Sequence, residues 1–158
     1  MKQVKLEELT IIQKLLLEKA ETAMETAYNP YSKFYVGAAI LTQDGEVITG
    51  SNVENAAYGS TICAERAALL KANSMNKRMY DSIAIIARGA NFDTKEVTAP
   101  CGSCRQMIYE SSQISGKNIE VIISTTKKDK IIMSSIEELL PLAFGPVDLG
   151  INIKKYQK

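Results

Sequence analysis

The sequence predicts an α/β protein, a three-layer α/β/α sandwich around a mixed five-stranded sheet. Three observations point there. Stretches with helical periodicity alternate with short β-like runs along the chain. The run from Ser82 to Ala87 is apolar without alternation, as expected of a strand covered on both faces. The 158 residues, with 46% hydrophobic and 23% charged side chains, suffice for one sizeable core but not two. There is no internal repeat, low-complexity tract or long linker, so residues 1–158 are expected to form a single domain.

Leu6 to about Tyr28 reads as a helix, because Leu9, Ile12, Leu16, Ala20, Ala23 and Ala27 make one apolar stripe. Asn29-Pro30-Tyr31-Ser32 stops it, since a proline disfavours helix in the residue before it. Tyr35–Leu41 and Val47–Gly50 read as paired strands around the Asp44-Gly45 turn. Cys63 to about Ala72 reads as a second helix, lined with small residues that allow close packing. Cys101 to about Ser111 reads as a third helix, after the Ser82–Ala87 strand. Ile119–Ile123 and Ile131–Met133 are the last two strands, with Lys127-Lys128-Asp129-Lys130 as a solvated hairpin turn between them. Ser135-Ile136-Glu137-Glu138 is a capping box that opens a short final helix, which Pro141 breaks.

Composition excludes several classes of function. The net charge of +1 offers no field for nucleic acid or a membrane surface. No apolar stretch approaches the roughly 18–20 residues that span a bilayer, and the first residues lack the pattern of a signal peptide. The expected location is therefore the cytoplasm, where thiols stay reduced. Histidine is absent, which removes the Ser-His-Asp triad, the Cys-His nucleophile pair and any His-ligated metal. Acid–base work near neutral pH falls to carboxylates, tyrosine, lysine or a metal-activated water.

The three cysteines all lie in two short motifs, Cys63-Ala64-Glu65-Arg66 and Pro100-Cys101-Gly102-Ser103-Cys104-Arg105. An odd number cannot all pair as disulfides. Three thiolates can hold a zinc ion and leave its fourth position open, the mark of a catalytic rather than a structural site. Soft sulfur ligands favour zinc over magnesium, calcium or manganese. Both motifs open helices, whose N–H groups and partial positive charge favour thiolates. Glu65, two residues past a ligand, can lean over the ion without binding it and move protons. Three thiolates leave the zinc centre with a net charge of −1, so at least one of Arg66 and Arg105 is expected to supply hydrogen bonds to the ligand sulfurs. On Cys101-x-x-Cys104 alone, a redox dithiol stands as the alternative.

With these residues assembled, the chain resembles the cytidine deaminases of the small homotetrameric type. The resemblance runs from Tyr28 to Leu149. It is carried by Asn29–Phe34, Val36–Ala39, Asn52–Tyr58, Cys63–Arg66, Pro100–Gln106 and Glu138–Pro146. Zinc nucleobase deaminases include a three-cysteine version with a non-ligating glutamate. The resemblance implies hydrolysis of cytidine and deoxycytidine to the uridine forms and ammonia, in pyrimidine salvage. It implies one zinc per subunit on Cys63, Cys101 and Cys104, with Glu65 shuttling protons. It assigns Asn52 and Glu54 to the ribose hydroxyl, Phe34 to the pyrimidine, and backbone near Ala64 and Ala99 to the base edge and amino group. Phe144 is implied to stack on the base in a neighbouring subunit's site. Two positions depart from the usual pattern: Tyr35 stands where proline is common, and Ala99 where serine or threonine often precedes Pro-Cys. The alternatives are a related zinc aminohydrolase of another substrate, such as blasticidin S, and a non-catalytic zinc module of the same fold. The second would need a fourth protein ligand, and the sequence has no spare cysteine or histidine.

Overall fold

A computed structural model of the chain describes residues 1–157. Its order is β1 (Lys2–Val4), α1 (Ile11–Met24), β2 (Phe34–Thr42), β3 (Val47–Ser51), α2 (Ala64–Ser74), β4 (Tyr80–Gly89), α3 (Gly102–Ser115), β5 (Glu120–Thr125), β6 (Ile131–Ser135) and α4 (Ile136–Leu139). The strands form one sheet in the order β1-β6-β5-β4-β2-β3. Only β4 and β5 run parallel; the other neighbours are antiparallel. The sheet is thus mixed, as expected, but has six strands rather than five. The sixth is β1, which pairs Lys2, Gln3 and Val4 with Met133, Ile132 and Ile131. Three residues carry too little pattern to be read as a strand, and only the free edge of β6 makes them one.

The alternation of side chains along the central strands builds two cores. Ala38, Ile40, Ile83, Ile85, Val121 and Ile123 face α2 and α3. Ala39, Ala84, Ile86 and Ile122 face α1 through Leu16, Leu17, Ala20 and Met24. Each fully buried leucine or isoleucine contributes about 1.5–3 kcal/mol.

The first helix is shorter than its apolar stripe suggests. Thr10 caps it in a reciprocal box with Gln13, so Leu6–Glu8 stays a separate 3-10 turn. At the other end, the Thr26 hydroxyl donates to the Ala23 carbonyl at 2.8 Å, and Tyr28 leaves to bridge Val53. The third helix is longer than its polar tail suggests. The Ser111 and Ser115 hydroxyls donate back to Met107 and Ser111, and Gly116, with φ of 63°, ends the helix.

Two glycines let helices approach the sheet closely. A Cβ on Gly37 would lie 1.9 Å from the Ala20 carbonyl oxygen in α1. One on Gly50 would lie 2.4 Å from the Ala68 nitrogen in α2. Gly50→Ala is expected to push α2 outward and destabilise the fold by about 1–3 kcal/mol, read as a fall in Tm; an unchanged Tm would show that α2 has slack.

Ser135 and Glu138 form the predicted capping box of α4. Glu138 also takes the amino group of Met1, which lowers its pKa to about 2 from 4.5, with the Ser135 amide and Ser134 hydroxyl adding to the effect. Because the folded-state pKa is depressed, the carboxylate's stabilising contribution is present above pH 4.5 and is lost as pH falls towards about 2. The Tm gap between the parent and Glu138→Gln is expected to be widest at neutral pH and to close across that window. A gap independent of pH would contradict the ionic pairing.

Candidate active site

The sheet presents α2 and α3 on one face, and each begins with a cysteine. Cys63 and Cys101 are the N-caps, with extended backbone (φ −69°, ψ 155° and φ −67°, ψ 167°) and carbonyls that accept from Ala67 and Arg105. Cys104 follows in the first turn of α3 and is fully buried. The three sulfurs lie within 4.8 Å of one another, Cys63 to Cys101 at 3.9 Å and Cys101 to Cys104 at 3.5 Å. A tetrahedral zinc with sulfur at about 2.3 Å needs sulfur–sulfur edges of about 3.8 Å. All three cysteines are free of disulfides, so the donor set and its spacing fit one zinc ion.

The cluster shares its charge unevenly. Hydrogen bonding with Cys104 lowers the Cys63 pKa to about 5, and the Arg66 guanidinium adds to the effect. The same contact, with burial, pushes Cys104 up. Arg66 Nη2 donates to the Thr61 carbonyl at 2.8 Å and lies 3.7 Å from Cys63 Sγ, so Arg66 takes the expected place beside a ligand. Its buried Nε has no partner among the described residues.

Arg105 does not take that place. Its Nε donates to the Pro100 carbonyl and its Nη1 to the Leu139 carbonyl, both at 2.8 Å. As the first full turn of α3 rises, this side chain is carried to the α4 side of the helix, where two free carbonyls converge.

Glu65 is only 4% exposed. Burial is the main cause that pushes its carboxyl above the ordinary range, and the Cys63 charge adds to it. The carboxyl is thus buried in the first turn of α2, beside the sulfur cluster.

Asn52 and Glu54 converge on the segment that enters β2. Asn52 accepts from the Val36 amide and donates to the Phe34 carbonyl, both at 2.9 Å. Its amide is thus partly spent on the backbone, leaving one N–H and one lone pair. Glu54 Oε2 accepts from the amides of Tyr31 (2.9 Å) and Ser32 (3.2 Å). Hydrogen bonding from the Ser32 side chain is the first cause that lowers the Glu54 pKa. By its local chemistry Asn29–Ser32 reads as a helix stop, and the segment is also one of the motifs that carry the resemblance. The reversal at Pro30 is what aims two free amides at a carboxylate, a role that needs the partner strand to be placed first.

Phe34 is half-buried at the start of β2, and Ala64 is fully buried at the start of α2. Tyr35 points to the opposite face from Val36, where it packs against the α1 core. Arg88 lies 4.5 Å over its ring and pairs with Glu25. Phe144 is 60% exposed. It borders a groove with Gln106, Gly145 and Tyr156 whose lining includes none of the cysteines.

A mixed sheet carrying a three-thiolate zinc centre, with one buried carboxylate beside it, is the build of a zinc hydrolase. Residues 11–118 match the model of the cytidine and deoxycytidylate deaminase zinc-binding region. Cytidine deaminase from Halalkalibacterium halodurans is 44% identical over 136 residues, 86% of this chain and 96% of the relative. That from Sporosarcina psychrophila is 42% identical over 139 residues, 88% and 95% of the two chains. The crystal structure of cytidine deaminase from Burkholderia pseudomallei superposes with a TM-score of 0.74 at 40% identity, covering 86% of this chain and 100% of that one. The chain belongs to the cytidine and deoxycytidylate deaminase family.

Arg66→Ala is expected to keep one zinc per chain while catalytic activity falls about 10- to 100-fold. Metal analysis and turnover on the same preparation check this, and parental activity would show that the guanidinium does not balance the sulfur charge.

Proposed function

We propose that this protein hydrolyses cytidine and deoxycytidine to uridine and deoxyuridine with release of ammonia. The observation that carries the reading is the three-sulfur cluster beside buried Glu65, in a chain of this family. Cys63, Cys101 and Cys104 would hold the zinc. When bound, zinc supplies the Lewis acidity that brings the pKa of water towards neutrality. Glu65 takes a proton from the water that attacks C4 and delivers one to N3. It then takes the remaining proton from the C4 hydroxyl and delivers it to the exocyclic amino group, which leaves as ammonia while the C4 oxygen becomes the carbonyl of uridine.

Arg66 and the N-termini of α2 and α3 offset the anionic sulfurs. The remaining roles are those that the family resemblance implies. Asn52 and Glu54 are assigned to the ribose hydroxyl; held at the entry to β2, Glu54 keeps one oxygen clear of its backbone partners. A carboxylate there favours nucleosides and repels a phosphate. Phe34 packs on the pyrimidine, and backbone near Ala64 and Ala99 reads the base edge and amino group. Exposed Phe144 is offered to a neighbouring subunit of a homotetramer. Among the described residues no helix is long and apolar enough to cross a membrane. We place the enzyme in the cytoplasm, as one catalytic domain over residues 1–158, serving pyrimidine salvage, with no nucleic-acid partner.

The test is to mix the protein with cytidine and follow the ultraviolet change to uridine, with and without a chelator. Turnover that the chelator abolishes is expected. Glu65→Gln is expected to lower kcat by about 100- to 10,000-fold with its zinc retained. Near-parental turnover in that variant would remove Glu65 from the mechanism.

A further inference from the structure

We infer that Arg105 is a positioning residue that fixes the peptide leading into Cys101, and with it the Ala99 carbonyl beside the base. The inference rests on the proposed deaminase reading and deepens it. It starts from a segment with little else to hold it. Among the described residues, Val97–Pro100 takes part in no hydrogen bond except the one from Arg105 Nε to the Pro100 carbonyl. Val97 packs against the core, but Ala99 is exposed. Beside the segment lies an open groove of about 540 Å³ whose lining includes Val97, Ala99, Arg105, Leu139 and Pro141.

One held carbonyl goes far here because of Pro100. Its ring locks φ near −65°, and the residue before it is confined to extended backbone. Anchoring the Pro100 carbonyl leaves few free torsions on either side. On one side it sets the direction from which Cys101 offers its sulfur. On the other it sets the Ala99 carbonyl, which has no partner of its own among the described residues. The second arm of the guanidinium completes the strut. Nη1 holds the Leu139 carbonyl at the end of α4, which α4's capping box and the Met1 amino group hold in turn. The planar fork of arginine reaches both carbonyls at once, which a lysine ammonium on a flexible stem does not.

The test uses Arg105→Gln and Arg105→Lys in the full chain, with three readouts. The first is metal affinity by competition with a chelator. The second is the visible spectrum with cobalt(II) in place of zinc, which reports the geometry of the sulfur ligands. The third is kcat and KM for cytidine. The expected result for Arg105→Gln is a folded protein with metal affinity and kcat/KM each lowered about 10- to 100-fold and altered cobalt bands, with Arg105→Lys between it and the parent. Parental metal affinity, spectrum and kcat/KM in variants whose Tm alone has dropped would overturn the inference, leaving Arg105 as a tie between α3 and α4. If Arg105→Gln does not fold, Arg105→Lys, which keeps the stem and charge, decides on the same readouts. Metal affinity and the cobalt spectrum are read without substrate. A parent inert on cytidine would therefore sink the proposed reaction, while lost affinity in the variants would still uphold the strut.

Discussion

Everything in this molecule depends on two helix N-termini brought close enough for three sulfurs to share one ion. Cys63 caps α2 and Cys101 caps α3, so each sulfur projects from the point where a helix begins and its dipole is positive. Neither helix sets this distance by itself. The sheet does, by fixing where both helices land on one face. Gly50 brings α2 nearly into backbone contact with β3, and the long parallel pair β4–β5 carries the chain across to deliver α3.

The second constraint is charge. Crowded thiolates repel, and a buried carboxylate beside them adds to the strain. The fold answers with one guanidinium against Cys63, two helix termini and the divalent ion for which the sulfur spacing is suited. Burial keeps the Glu65 carboxyl above its ordinary range, and the Cys63 charge adds to it. Arg105, close in sequence to a ligand, answers a different need. It holds backbone rather than sulfur, because a turn of helix carries it to two carbonyls that no other group serves among the described residues.

Much of the fold was legible because the signals were local. The strand pair around Gly45, the capping box at Ser135 and the uninterrupted apolar run of β4 each depend on neighbours in the chain. The misjudged boundaries have a common cause. Thr10 and Thr26 trim α1, and Ser111 and Ser115 extend α3, through side-chain hydrogen bonds that periodicity does not register. β1 has no pattern of its own and exists because β6 offers an edge.

The sequence by itself determined the chemistry. Three cysteines, no histidine and a glutamate two residues past a ligand leave few other uses for those atoms, since metal preference and proton transfer follow from residue type and short spacing. Only the tertiary structure decided the partners. Arg66 meets sulfur and Arg105 meets carbonyls; Asn52 shares its amide with β2; Tyr35 turns away towards α1. Those outcomes depend on which groups from distant segments arrive with unmet hydrogen bonds, and arrival is set by sheet order and helix docking rather than by any neighbour along the chain.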